Sequence, residues 1–188
     1  LNFVGIKVVV VHGGGKAVTR KLAEKGIEAN FIDGLRVTDK ATIGVVDEVL
    51  NGQVNEEVAS FVSSHDCGVR RIPGKEVLSC SKLASEPALG YVGDIGSART
   101  EPILEALEEG LMPIRSATAS DAGGPCYNVN ADTAAAQIAI ALKARRLVYL
   151  SDVPGLLKDP EDPATLLSSL PVHQVEPLKE EKVISKGM

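Results

Sequence analysis

A chain of 188 residues with a net charge of −5, 3% aromatic residues and no Trp has the length for one α/β domain or two small lobes. The acidic balance and the scarcity of aromatic rings argue against nucleic acid or an anionic membrane as a partner. No apolar run reaches the ~18 residues of a membrane span, and Cys67, Cys80 and Cys126 lie far apart without a C-x-x-C pair or a nearby His. That spacing disfavours a zinc site or a disulfide framework and fits a soluble protein of a reducing compartment.

The β-branched run Val8–Val11, with Ile6 before it, reads as a strand buried on both faces in the middle of a parallel sheet. Gly13, Gly14 and Gly15 follow at its carboxyl end, and Ala17–Lys25 has helical periodicity with Val18, Leu22 and Ala23 inward and Gly26 as the C-cap. A glycine turn that opens a helix offers unpaired N–H donors and a partial positive charge, a cradle for phosphate or a carboxylate. A tight turn without a ligand is the plainer alternative. Ile27–Ile32 is extended, Asp33-Gly34 is a hairpin signal, and Leu35–Val37 is a short strand whose one cation is Arg36. Arg36 suits either a solvated strand edge or a two-pronged grip on a carboxylate, and both readings stay open.

Thr38 is predicted to cap a helix over about Asp39–Leu50, which Asn51-Gly52 interrupts. A second helix over Val54–Ser64 would turn Val54, Val58, Phe61 and Val62 inward. Strands are expected at Cys67–Ile72 and Glu76–Leu83 around a Pro73-Gly74 turn, then a loop over Ser85–Ala98 with a short strand at Tyr91-Val92. Thr100-Glu101-Pro102 opens a helix that ends at Gly110, Leu111–Ile114 is a buried strand, and Thr118–Pro125 reads as loop. Asn128, Asn130 and Asp132 then precede an apolar helix over Ala134–Ala144, more polarity than a helix cap requires. Arg146–Leu150 is predicted as a buried strand ending in the polar turn Ser151–Gly155, and Leu166–Leu170 and Val175–Ile184 as short helices. Three ligand-capable loops at strand ends would share one edge of a parallel sheet and form one cleft.

Five segments carry a further signal: Val-His-Gly-Gly-Gly-Lys at 11–16, Asp-Gly-Leu-Arg-Val-Thr-Asp at 33–39, Gly-Gln-Val-Asn-Glu-Glu at 52–57, Tyr-Asn-Val-Asn-Ala-Asp-Thr at 127–133 and Leu-Ser-Asp-Val-Pro-Gly-Leu-Leu at 150–157. In order and spacing they resemble the amino acid kinase family, and within it the branch that phosphorylates N-acetyl-L-glutamate. The resemblance implies an α/β three-layer sandwich with a mostly parallel central sheet. Residues 1–125 would form the acceptor lobe and 126–188 the start of the nucleotide lobe of one continuous domain. It also implies transfer of the γ-phosphoryl of ATP to the side-chain carboxylate of N-acetyl-L-glutamate in arginine biosynthesis, with Mg²⁺ carried by the nucleotide and no metal site of the protein's own.

By the same resemblance Gly14 and Gly15 would contact substrate and phosphoryl, with Gly14 and Asp132 catalytic. Arg36 would hold a substrate carboxylate, Asn128 would bind the acetylated amino acid, and Ser151, Asp152 and Gly155 would border the nucleotide. A homo-oligomer (dimer or hexamer), a PII-type regulator and a cytoplasmic location, or a plastid one in a photosynthetic eukaryote, are implied as well. The chemistry is compatible, because an ionised carboxylate acceptor needs positioning and charge neutralisation rather than an enzymic nucleophile. Lys7, Lys16 and Lys186 do not match the family's two phosphoryl-binding lysines, so the 188 residues are expected to bind the acceptor better than ATP. Alternatives are a non-catalytic relative that binds an acyl amino acid, and an enzyme acting on acetylaminoadipate. A Rossmann domain is disfavoured because the loop lacks G-x-G-x-x-G spacing.

Overall fold

The apolar run before the glycines forms strand β1 (Val10–His12), which pairs in parallel with β7 (Met112–Ser116) through Val10↔Ile114 and His12↔Ser116. On its other side β7 pairs in parallel with β4 (Val69–Ile72), so the order is β1-β7-β4. The central strand is therefore β7 and not the Val8–Val11 run. β1 has one partner among the described residues and is half-buried, whereas Ile114 and Arg115 have no exposure at all. The computed structural model describes residues 4–121, 123–151, 155–159 and 161–181. The chain divides into two compact units, Leu1–Leu147 and Val148–Met188.

A second sheet, in the order β6-β5-β8-β9, joins β6 (Gly93–Ala98), β5 (Leu78–Lys82), β8 (Thr118–Ser120) and β9 (Cys126–Asn128). The β5–β8 pair is parallel and the other two are antiparallel. Both β6 and β8 lie where loops were expected. Glycine in β6 is there for packing: a Cβ on Gly93 would sit 2.9 Å from Cys80 Sγ and 3.1 Å from Tyr127 Cβ. The small residues of β8 are likewise core, with Ala119 fully buried.

Helices cover both faces, which is the expected α/β sandwich. On one side α1 (Gly15–Glu24) and α2 (Lys40–Asp47) bury Val18, Leu22, Ile43, Val45 and Val46 together. On the other, α4 (Glu101–Glu108) and α5 (Ala131–Ala141) contribute Ile103, Ala134 and Ile138 to a core with Ile72, Val77 and Ala117. Helix α1 closes in a Schellman motif in which Ile27 N donates to Leu22 O and Gly26 N to Ala23 O, with Gly26 at φ 69°. Ala23, expected inward, is exposed. The Asp33-Gly34 turn has positive φ at both residues (51° and 80°) and joins β2 (Phe31–Ile32) to β3 (Leu35–Arg36) as a two-residue hairpin.

Asp39, not Thr38, caps α2, accepting from Thr42 N at 2.7 Å. Asn51-Gly52 does not break the helix. A π-helical segment (Glu48–Val54) carries the chain straight into α3 (Asn55–Ser63), because Arg71 Nη2 donates to the Asn51 and Gly52 carbonyls at 3.1 and 3.2 Å. The inward residues of α3 are Asn55 and Ala59, while Phe61 is 68% exposed and stacks on His65.

Helix α5 begins three residues earlier than predicted, capped by Asn130. Arg146–Leu150 forms no strand. It finds no strand partner among the described residues, and Leu150 is 96% exposed. In the second unit Leu157 bridges Leu166 in antiparallel fashion, so Leu166–Leu170 is not a helix, while α6 spans Val175–Glu180. No helix of the described residues is long and apolar enough to cross a membrane.

A close backbone contact lies at Gly74, after β4. A Cβ there would stand 2.5 Å from Ser116 O and from Thr118 Oγ1, at the bend between β7 and β8. Gly74→Ala is expected to lower the unfolding free energy by about 1–3 kcal/mol in urea titration, the cost of overpacking a rigid site. An unchanged midpoint would show that the bend can yield.

Candidate active site: a glycine-walled anion cleft

Strand β1 delivers its chain to Gly13 at the point where the N-termini of α1 and α5 meet. A Cβ on Gly13 would be 3.3 Å from Ala131 Cβ, and one on Gly14 would be 2.6 Å from Leu50 Cδ2 and 3.2 Å from Val54 Cγ2. A side chain at either position would crowd these neighbours, and its absence leaves glycine backbone lining the space between the helices. The result is a cleft of about 170 Å³ whose walls include Gly13–Gly15, Arg36, Leu50, Asn128, Asn130 and Ala131. Gly14, Gly15, Arg36 and Asn128, singled out in the sequence on separate segments, thus line one cavity.

Arg36 is 6% exposed. Its Nη2 donates to Gly15 O at 3.0 Å and to Thr19 Oγ1 at 2.8 Å, and its guanidinium lies 4.6 Å from the centre of the Phe31 ring. Nη1 is buried with no hydrogen-bond partner. Burial holds its pKa below the usual arginine value, and Arg36 is the one charged residue among those lining the cleft. A buried cation beside two helix N-termini, with no carboxylate on the wall, makes a cavity of positive potential. The solvated-edge reading of Arg36 does not survive its burial.

Thr38 connects the two ends of the site. Its Oγ1 donates to Arg36 O at 2.8 Å and accepts from Asn128 Nδ2 at 3.3 Å, and its side chain is wholly buried. Asn128 N donates to Tyr91 O at 2.9 Å, which fixes the strand end that carries the amide. Asn130, expected to belong to a site rather than only to a cap, lines the cleft and also caps α5: its Oδ1 accepts from Thr133 N at 2.9 Å.

Asp132 is exposed in the first turn of α5, where its charge complements the helix dipole, and it is not among the residues lining the cleft. Ser151 and Gly155 are exposed in the second unit, and Asp152 lies outside the described residues. No sequence motif marks a role for His12, Asn55, Arg71 or Phe31, which buttress the loop and Arg36. The Asn55 and Arg71 contacts span 16 to 59 residues, beyond any local pattern. Burial pushes the Cys80 and Cys126 thiols up to about 11 and 12, so neither is a thiolate nucleophile at neutral pH. Among the described residues no group of three or more His, Cys, Asp or Glu could hold a metal ion.

A parallel-stranded α/β sandwich with an anion cleft at helix N-termini is the architecture of a phosphate- or carboxylate-handling domain. The amino acid kinase family model matches residues 2–188, and the chain belongs to that family. It is 40% identical, over its whole length, to acetylglutamate kinases from Carboxydothermus hydrogenoformans and Thermosynechococcus vestitus, of which it covers 68% and 64%. The chain thus spans about two thirds of the length of these curated relatives. The crystal structure of smu.665 from Streptococcus mutans UA159 superposes with a TM-score of 0.89 at 28% identity, covering all of this chain and 75% of that one. These relatives support a kinase of amino acid biosynthesis.

The contact between Gly14 and Leu50 can be tested by a double-mutant cycle. Gly14→Ala and Leu50→Ala should each destabilise, by about 1–3 and 2–5 kcal/mol respectively. The double variant should recover about 1 kcal/mol or more of the sum, because truncating Leu50 makes room for the new methyl. Strict additivity in chemical denaturation would separate the two residues.

Proposed function

We propose that the protein of which these residues form part transfers the γ-phosphoryl group of ATP to the side-chain carboxylate of N-acetyl-L-glutamate, a step of arginine biosynthesis. The observation that carries this reading is the buried Arg36 guanidinium, with Nη1 unmet, in a cleft lined by glycine backbone and no carboxylate. A doubly anionic acceptor fits such a cavity. The 40% identity to acetylglutamate kinases supports N-acetyl-L-glutamate as that acceptor.

In this reading Arg36 grips the acceptor's α-carboxylate, with Nη1 as the donor still to be used, and the Asn128 amide meets the acetylated nitrogen. The acceptor's side-chain carboxylate is ionised at neutral pH, so no general base is needed. The work is to align it with the γ-phosphorus and to neutralise charge on the equatorial oxygens. The N–H groups of Gly14 and Gly15 serve that charge, reinforced by the N-terminal ends of α1 and α5. Mg²⁺ arrives on the phosphates of ATP. Asp132 is assigned to orienting catalytic lysines, and Ser151, Asp152 and Gly155 to bordering the nucleotide.

ADP release by the product of the complete gene, with N-acetyl-L-glutamate, ATP and Mg²⁺, tests the proposal. Acceptor-dependent turnover is expected, and its absence in folded protein would end the reading. Turnover confined to acetylaminoadipate would redirect it to that substrate. Arg36→Ala should cost about 2–4 kcal/mol in kcat/KM for the acceptor, the worth of a charged hydrogen bond lost in a dry cleft. A loss confined to KM for ATP would place Arg36 on the wrong substrate.

A further inference from the structure

The residues behind the glycine loop form a hydrogen-bond chain in which each partner has only one permitted role. Arg71 Nε, on β4, can only donate, and it does so to Asn55 Oδ1 at 2.8 Å. Ile114 O, on β7, can only accept, and it faces Asn55 Nδ2 at 3.3 Å. The Asn55 amide, 2% exposed, therefore has a single orientation, with Nδ2 also directed at His12 Nε2 at 2.9 Å. His12 Nε2 must accept, so the ring carries its proton on Nδ1, which donates to Gly13 O at 2.8 Å. A trans peptide sets its N–H opposite its C=O. Tying the Gly13 carbonyl to His12 thus turns the Gly14 N–H away from Asn55.

We propose that Arg71, Asn55 and His12 are positioning residues which lock the His12 imidazole in its neutral Nδ1–H form and thereby aim the Gly14 N–H into the anion cleft. The proposal rests on the phosphoryl-transfer reading only in its choice of ligand. Arg71 also holds the π-helical carbonyls of Asn51 and Gly52 and pairs with Glu56, so the same guanidinium fixes the turn that presses Leu50 and Val54 on Gly14. The charge that acts on His12 is Arg115 on β7, and Arg71 reaches it only through Asn55. Neither offers the imidazole an acceptor. A second proton on His12 would set Nε2–H against Asn55 Nδ2–H and push the loop out of place. Burial and Arg115 both hold the His12 pKa below 6.5, in keeping with this arrangement. For a base whose folded pKa is depressed, the neutral form costs nothing above the unfolded value. Destabilisation grows as pH falls below about 6.5 toward the folded pKa.

Two readouts test the chain in the full-length protein. Long-range ¹H–¹⁵N spectra at neutral pH should show His12 as the Nδ1–H tautomer, and Arg71→Met, which removes one of the two contacts that orient the Asn55 amide, should admit a detectable share of the Nε2–H form. An Nε2–H tautomer or an imidazolium in the unsubstituted protein would overturn the proposal, whatever the protein binds. In calorimetric titration with N-acetyl-L-glutamate, His12→Ala should weaken binding roughly tenfold, the worth of one positioning hydrogen bond. His12→Asn, whose Nδ2 overlies the imidazole Nδ1, should restore it and abolish the loss of affinity below about pH 6.5. If His12→Ala does not fold, the His12→Asn pH profile decides: an acid limb unchanged from the parent contradicts the assignment. Failure of the unsubstituted protein to bind N-acetyl-L-glutamate would count against the proposed substrate, while the tautomer measurement would still decide the positioning chain.

Discussion

Gly13 and Gly14 lie so near Ala131 and Leu50 that one methyl group at either position would crowd its neighbour, at 3.3 and 2.6 Å. The rest of the first unit depends on that closeness. It brings the N-terminus of α5 against the end of β1 and wedges the π-helical turn against the N-terminus of α1. With side chains removed from the loop, glycine backbone beside two helix starts becomes part of the cleft wall. A helix dipole exerts its field within about one turn, so the two termini reinforce each other only because the glycines let them meet.

The polar groups around this contact are arranged to keep it rigid and positive. Thr38 bridges Arg36 and Asn128, Arg71 bridges the π-turn and Asn55, and Asn55 bridges α3, β1 and β7. Buried amides and hydroxyls of this kind are costly when unpaired and specific when paired. Arg36 and Arg115 are different, since Arg36 keeps one buried guanidinium nitrogen without a partner and Arg115 keeps two. Arg115 Nη2 donates to Gly74 O and Ser116 O, and burial brings its pKa down to about 10. Arg36, with Nη1 unmet, is among the residues lining the cleft. For Arg115 the two carbonyls tie the Gly74 bend to the central strand.

The elements whose cause is local were legible in the sequence. The Asp33-Gly34 hairpin, the glycine turn into α1, Gly26 after it and the opening of α4 at Thr100-Glu101-Pro102 each follow from backbone preferences of the residues involved. So did the convergence of Gly14, Gly15, Arg36 and Asn128, which the ordered motifs carried. What escaped has non-local causes. β6 is rich in glycine and reads as a loop until Cys80 and Tyr127 are seen to need the space. Asn51-Gly52 reads as a break until Arg71, about twenty residues on in the chain, caps its carbonyls. Arg146–Leu150 has a strand's pattern, but a strand needs a neighbour to pair with, and the described residues provide none. His12 looked isolated because its partners come from α3, β4 and β7.

The central claim is that backbone amides at Gly14 and Gly15, together with Arg36, receive the acceptor's charge. The most direct measurement follows the amide resonances of Gly14 and Gly15 and the guanidinium resonances of Arg36 while N-acetyl-L-glutamate is titrated into labelled full-length protein. All three are expected to move together, among the largest shifts in the spectrum, along one saturating curve. Saturable binding that leaves the two glycine amides and the Arg36 guanidinium unmoved would contradict it.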